Sequence, residues 1–373
     1  MSKIKSTIWQ IEPHTEAKHE ILRKYLNAWL PIVTRWSGRV LYIDGFAGPG
    51  EYIGGKDGSP IIAIKALLEH KAKESIKSEV KMIFIEADSK RSEFLKHKID
   101  NFNLPQNVSV EVVNEKFDKV LTKILDYLDE QKKILAPAFA FIDPFGFTGI
   151  PFDVIKRIMN NEKCEVLITF MYEEINRFIG DEKLWSNLRE TFGTDDWIKV
   201  ISIKDPQKRC EMLHNIYVRQ LESETGAFVR SFKMINKLNK TDYFLFFATK
   251  SITGLKKMKW AMWKVDESGT FNFSDATYNP NQPMLFELQP NYPLLEKIIL
   301  DNFKGKIVSV KELENFILTQ TPFRESHYKK SILVPFEKSD PPKIERICPD
   351  CRKNHDCKRR KTFFPEDCIV KFL

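Results

Sequence analysis

The chain has 373 residues but no apolar run of about 18, so nothing in it reads as a membrane-spanning helix. Met1 to Glu12 lacks the apolar stretch that a secretory signal carries, and a cytoplasmic location is the expectation. Cysteine is scarce. There are six, with Cys164 and Cys210 standing alone and the other four crowded into the last 26 residues, which excludes a disulfide framework. The dinucleotide fingerprint G-x-G-x-x-G is missing too. Charge does not dominate: a net +8 permits nucleic acid as a partner without requiring it. What is present is a 42% hydrophobic chain, enough to bury a large core in two domains or in one with an appendage.

The chain is organised around Val40 to Pro60. Val40 to Ile43 is a short apolar run, as expected of a strand buried on both faces of a parallel sheet. Asp44, Gly45, Phe46, Ala47, Gly48 and Gly50 then make a glycine-rich turn in which positive φ is tolerated and backbone can approach a ligand closely. Ser59 is a candidate N-cap, Pro60 suits the first helical position, and Ile61 to Leu68 continues as a mostly apolar helix. Strand, glycine turn and helix present a nucleotide-like ligand at the carboxyl end of the first strand of a doubly wound sheet. Ahead of this unit, Ile21, Leu22, Tyr25, Leu26, Trp29 and Leu30 form one helical stripe, with Thr15 as the expected N-cap. His14 and His19 at its start read more readily as polar residues of a helix end than as substrate contacts.

The second unit, Val80 to Asp100, ends its strand in Glu86-Ala87-Asp88. An acid there is placed to accept both ribose hydroxyls of a nucleoside, with Glu86 the first choice and Asp88, which equally suits a helix cap, the second. Val108 to Val113 is a third strand, followed by Asn114 and Phe117 at the start of a helix. Ala138 to Ile142 is a fourth, running into Asp143-Pro144-Phe145-Gly146-Phe147. Cys164 to Phe170 reads as a fifth strand and Tyr243 to Thr249 as a late one, with a helical insertion over about 172–225 whose Arg177 to Trp197 part is a candidate cap over the site. Lys256, Lys257, Lys259, Trp260 and Trp263 interleave base-stacking and phosphate-holding types, but their spacing with Met258 and Met262 favours a core-facing helix.

The turn around Asp44 is similar to that of Rossmann-like S-adenosylmethionine-dependent methyltransferases. More closely, the chain resembles the three-Cys-motif partner (TcmP) family. The resemblance rests on Glu12-Pro13-His14-Thr15 with Lys18-His19, on Tyr42 through Tyr52, on Gly58-Ser59-Pro60, on Phe84 through Asp88 and on Phe141 through Gly146. Met258 to Trp263 and Thr362 to Pro365 carry a weaker echo. The resemblance implies an α/β fold with a Rossmann-like class I methyltransferase sheet and helices on both faces. It implies S-adenosyl-L-methionine as cofactor and a radical S-adenosylmethionine protein as a partner. The implied cofactor residues are Asp44 to Gly48, Gly50, Ser59, Glu86, Asp88, Asn114 and Phe117, the last two around the adenine ring. Asp143-Pro144-Phe145 is similar to the loop of enzymes that methylate exocyclic amino groups of bases. There Asp143 would orient the amine, Phe145 or Phe147 would stack the base, and positioning would supply most of the rate. The expected activity is methyl transfer to an amino group of a nucleic-acid base. A non-catalytic adaptor for the radical enzyme, and transfer to protein or a small molecule, are the alternatives.

Pro280, Pro283, Pro290 and Pro293 mark a linker over 279–293. After it, helices over Leu294 to Asn302, Lys311 to Thr319 and from Pro322 to Leu333, then strands at Lys343 to Ile347 and Cys368 to Phe372, outline a winged-helix-like α+β domain. From Asp301 to Leu373 there are 16 Lys and Arg against 11 Asp and Glu, so +5 of the +8 sits here, and nucleic acid is the expected partner, with protein docking close behind. The hairpin tip holds Cys348, Cys351, His355 and Cys357, a C-x₂-C pair with further ligands suited to one structural zinc. Cys368 is an alternative fourth ligand or a core residue. Lys358 to Lys361 beside it is a solvated face or a phosphate contact.

Overall fold

In the computed structural model, the described residues are 6–275, 289–347, 364–366 and 368–373. They fall into two compact units, 1–261 with 272–280 and 262–271 with 281–373. Among them no helix is long and apolar enough to cross a membrane.

The first unit opens with helix α1 (Pro13–Trp36), strand β1 (Arg39–Asp44), α2 (Ser59–Leu68), β2 (Glu79–Ile85), α3 (Ser89–Ile99), β3 (Val108–Val113), α4 (Phe117–Glu130) and β4 (Ala138–Ile142). It continues with α5 (Phe152–Asn160), β5 (Glu165–Phe170), α6 (Tyr172–Phe178), α7 (Trp185–Phe192), α8 (Pro206–Thr225), β6 (Phe228–Ile235), β7 (Thr241–Thr249), α9 (Ile252–Trp263) and β8 (Asn272–Ser274). One sheet takes the order β3-β2-β1-β4-β5-β7-β6-β8. β1 to β5 are parallel, and β7 lies antiparallel between β5 and β6. The order reverses between β1 and β4, the switch point at which doubly wound sheets bind ligands. The Rossmann-like sheet with helices on both faces read from the motifs is the fold observed.

The central strands are apolar throughout because both faces are covered. Along β4 the alternation still sorts them. Ala138, Ala140 and Ile142 join the core shared with Leu121, Ile155 and Tyr217. Phe139 faces the other way, its ring 5.0 Å from Tyr25 and 5.8 Å from Trp29 of α1. α1 begins earlier than its expected Thr15 cap. Pro13, whose missing N–H costs nothing at a first turn, starts the helix, and Glu12 is the N-cap. Leu188, Phe192 and Trp197 of the inserted helical segment are buried in the sheet core. A segment that buries its apolar face there is core packing, and none of its 177–197 residues lines the cavity at the carboxyl edge of the sheet. On α9, Met258, Lys259, Met262 and Trp263 are all buried, in keeping with the core-facing reading.

The second unit contains α10 (Tyr292–Phe303), β9 (Ile307–Ser309), α11 (Val310–Gln320), α12 (Val334–Lys338), β10 (Ile344–Ile347) and β11 (Ile369–Phe372). Its three antiparallel strands are ordered β10-β11-β9. Ser309 caps α11 through a reciprocal pair with Glu312, satisfying two otherwise orphan donors. The expected third helix from Pro322 is shorter and later. Thr321 closes a turn in which Phe323 N–H donates to its hydroxyl at 3.1 Å, and helical structure resumes only at a π turn, Lys329–Leu333, leading into α12. With this helix-helix-helix-hairpin succession the unit is a winged helix-turn-helix. Cys368 is buried in its core. The hairpin-tip residues Cys348, Cys351, His355 and Cys357, the basic run Lys358 to Lys361 and most of the expected linker, 279–288, lie outside the described residues.

Candidate functional site

Parallel strands deliver their carboxyl ends to one edge of the sheet. In register, Asp44 lies beside Phe84 of β2 and Phe141 of β4, so the acids that follow or close these strands, Asp44, Glu86 and Asp143, share that edge. β7 runs the other way, so its first residues, Asp242 and Tyr243, reach the same edge. β8 runs parallel to β6 and adds Asp275 just past its end. At that edge lies a cavity of about 370 Å³, within the usual range for small-molecule sites; Asp143, Asp242 and Tyr243 line it, while Asp44, Glu86 and Asp275 stand outside its lining. Phe46 to Tyr52, Gly58 and Ser59 form one side of it, and Asp143, Pro144, Phe145, Thr169, Asp242 and Tyr243 the other. The N-terminal stretch covers it, through Trp9, Glu12, His14 and Lys18.

The glycine side is preformed. Gly48 and Gly50 have φ of +61° and +77°, in the left-handed region where a side chain is strained. A Cβ on Gly58 would lie 2.8 Å from the Gly50 backbone, and one on Gly45 2.6 Å from the Phe117 ring. Phe117 is thus a buried support under the turn, 5.6 Å from Phe46, and does not reach the cavity. Glu86 accepts from Gly48 N–H at 2.9 Å and from Asp88 N–H at 2.7 Å, which ties the turn to the end of β2. Burial pushes its carboxyl upward. Asp88 caps α3 by accepting from Arg91 N–H at 3.0 Å; its carboxylate is used there, as the capping alternative supposed. Asn114 donates to the Glu86 and Ala87 carbonyls at 2.8 and 3.1 Å, holding the strand end.

Asp44 is fully buried. Its Oδ1 accepts weakly from Phe46 N–H at 3.4 Å and its Oδ2 has no partner. Burial pushes its carboxyl up to about 7; the Asp143 and Glu86 charges add to this, while the Ser59 hydroxyl and the Phe46 N–H offset part.

The opposite side contains groups that motif reading passed over. Lys18 Nζ donates to Asp143 Oδ1 at 2.7 Å and lies 2.6 Å from Oδ2, with both side chains largely buried. Asp143 is therefore half of an ion pair, and orienting an amine through it requires that pair to open. Phe145 is 46% exposed and stands beside Trp9 at 5.5 Å, with the Arg91 guanidinium 5.4 Å from its ring. Phe147 is buried in the sheet core and does not line the cavity, which leaves Phe145 as the available ring: the chain turns after Gly146 and carries the next side chain inward.

His14 stands among three carboxylates, its Nδ1 2.7 Å from Asp275 and its Nε2 3.2 Å from Glu12 and 3.8 Å from Asp242. Burial disfavours its charge, but the bonds to Glu12 and Asp275 outweigh that and raise it above its ordinary value. Burial drives Asp242 up to about 6, with Glu173 and Glu12 adding and His14 opposing. His19, sealed beneath Tyr52, is pushed down to about 3 by burial and by Lys18. Among the described residues no cluster of His, Cys, Asp or Glu is arranged to hold a metal ion.

A family model described as a GMT-like wHTH domain matches residues 272–334, well short of half the chain. Among solved structures the chain is similar to Trm1 from Pyrococcus horikoshii, in complex with S-adenosyl-L-methionine, at 12% identity and a TM-score of 0.36. That match covers 69% of this chain and 61% of that one, less than two thirds of its length. It is also similar to an O-methyltransferase from Bacillus cereus in complex with SAH, at 14% identity over 65% and 83% of the chains, TM-score 0.34. Human methyltransferase-like protein 13, also with SAH, matches at 8% identity over 74% and 97%, TM-score 0.34. No curated protein matches. No residue's role rests on neighbours this distant; the roles rest on the strand order and on the side chains around the cavity.

Proposed function

We propose that the chain is an S-adenosylmethionine-dependent methyltransferase of the three-Cys-motif partner family, acting on an amino group of a nucleic-acid base. The winged-helix unit serves as the nucleic-acid-binding part. The observation that carries the reading is that the positive-φ glycine turn and the Asp143-Pro144-Phe145 loop meet at one cavity on the carboxyl edge of the sheet. The residues present fit the cofactor: Gly48 and Gly50, at positive φ, would let the backbone approach it closely, and the buried Asp44 has an unpartnered oxygen. Glu86 uses two lone pairs on backbone and, with roughly four acceptor sites on a carboxylate, keeps capacity for ribose hydroxyls. Gly48, Gly50 and Glu86 would hold the cofactor, which would supply an electrophilic sulfonium methyl to the amine. Phe145 offers a ring for stacking beside Trp9 and Arg91.

Calorimetric titration of S-adenosylmethionine into the purified protein tests this. Micromolar binding, abolished in Glu86→Ala, is expected, together with labelled methyl transfer to RNA or DNA. A folded protein that binds no cofactor overturns the proposal. A second reading is favoured by one observation, the Lys18–Asp143 pair. If that pair never opens, the chain is an adaptor for a radical S-adenosylmethionine protein, and it then forms a stable complex that Asp143→Ala leaves intact. Metal analysis of the purified chain tests a structural zinc at Cys348, Cys351, His355 and Cys357.

A further inference from the structure

The acid proposed for the ribose is shut away from the space it would serve. Glu86 is 7% exposed, and neither it nor Asp88 nor Asn114 lines the cavity, which runs from the glycine turn to the Asp143 loop. A nucleoside held by an acid at the end of the second strand lies against the glycine turn on that side. In this structure a tryptophan stands there. A Cβ on Gly48, whose N–H donates to Glu86, would lie 3.9 Å from the Trp9 ring. The Arg91 guanidinium, whose charge acts on Glu86, is 5.0 Å from the same ring. Tyr52 and Phe145 meet it edge-on at 5.4 and 5.5 Å. Trp9 thus touches the glycine turn, the first turn of α3 and the acceptor loop at once. The segment that carries it is lightly held. None of residues 6–12 is buried, in contrast to His14 just inside α1. Across 6–11 the one hydrogen bond among the described residues runs from Ile53 N–H to the Trp9 carbonyl, at 2.8 Å. A surface segment with ring contacts and a single backbone bond opens more readily than the sheet beneath it.

Resting on the methyl-transfer reading above, we infer that Trp9 is a built-in plug: its ring occupies the nucleoside end of the cofactor site, and S-adenosylmethionine binds by displacing it. The indole and the adenosine half of the cofactor compete for one surface, Gly48 and the Glu86 carboxylate behind it. Both are flat aromatic groups, so the place beside Arg91 that Trp9 gives up is one an adenine ring can take over. Glu86 becomes reachable for ribose hydroxyls only as residues 6–12 swing aside and the Ile53 bond to Trp9 breaks. A site that its own chain fills for part of the time binds with an affinity lowered in proportion to the open fraction. Removing the plug therefore tightens cofactor binding. A tryptophan that served as a floor beneath adenine would act with the opposite sign, since its removal would cost affinity.

The test titrates S-adenosylmethionine and S-adenosylhomocysteine into the full-length chain by calorimetry, wild type beside Trp9→Ala and Trp9→Phe. Trp9→Ala is expected to bind both ligands about tenfold tighter, the gain for a plug closed in roughly ten molecules to one, with Trp9→Phe between the two. The ligand-free variants should keep the wild-type far-UV spectrum, since no residue of 6–12 is buried. Amide exchange at Ile53 gives a readout in the unaltered protein: saturating S-adenosylhomocysteine should speed it several-fold as the Trp9 carbonyl leaves that N–H. Weaker binding by Trp9→Ala, an affinity equal to wild type, or an Ile53 amide better protected with ligand bound would overturn the inference. Each of those outcomes leaves the methyltransferase reading standing, because the cofactor still binds. Failure of the wild type and both variants to bind sinks that reading and takes the plug with it.

Discussion

The glycine side of the cavity and the acidic side are built in opposite ways. The first comes from one stretch, Asp44 to Ser59, helped by Glu86. The second is gathered from the start of α1, the end of β5 and the start of β7, residues more than 200 positions apart in sequence. The local side depends on glycines at positive φ and stores its cost in a buried acid. The dispersed side stores it in paired and crowded charges. Substitutions on the two sides should therefore fail differently.

The largest effect belongs to Asp44. Its carboxyl sits at about 7 in the folded chain against an ordinary 3.8. Between those values the folded chain keeps a proton that the unfolded chain has released, so stability falls as pH rises and the loss is complete above about 7. At about 1.36 kcal/mol per unit the cost is on the order of 4 kcal/mol at pH 8. Asp44→Asn should raise the melting temperature at pH 8, gain several-fold less at pH 4.5, and weaken cofactor binding. A melting temperature that drops equally at both pH values would show that the acid is not a stored cost.

On the other side the sign reverses. Lys18→Met leaves Asp143 without its cation in a largely buried place, a loss of roughly 3 kcal/mol. Adding Asp143→Asn to it should recover a good part of that, and a double-mutant cycle by denaturant unfolding measures the coupling. Additive losses would mean that the pair contributes nothing specific. Returning to the glycine side, Gly58→Ala forces backbone against backbone at Gly50, at a cost of about 1–3 kcal/mol, and should abolish cofactor binding in the same calorimetric titration.

The contrast also explains what was legible in the sequence. Strand ends read well where an apolar run stops at an acid or a glycine, so β1 to β5 and the residues Asp44, Gly48, Gly50, Glu86 and Asp143 were found from local pattern. Lys18 was visible in the Glu12 to His19 segment, but no spacing rule links it to Asp143, 125 residues on. Asp242 and Tyr243 were missed because β7 was read as a strand without a direction. Only its antiparallel pairing with β5 brings its first residues to the ligand edge. Thr169 carries no motif at all: its signal is an unpaired hydroxyl, which exists only once the neighbours are placed. Phe147 followed the same aromatic logic as Phe145, and the chain's turn after Gly146 put it in the core.

The smallest expected effect separates the two acids that sequence reading left in competition for the ribose. Glu86 joins the glycine turn to the sheet through Gly48 N–H, while Asp88 holds only the first turn of α3, through Arg91 N–H. Asp88→Ala should cost about 1 kcal/mol, as loss of a helix cap does, and leave S-adenosylmethionine affinity within about twofold. Glu86→Ala should abolish that affinity, since it removes both an acceptor and the anchor of the turn. If Asp88→Ala instead removes binding while Glu86→Ala keeps it, the carboxylate that faces the cofactor lies two residues farther along than proposed, at the start of α3, and the glycine side is not closed by the end of β2.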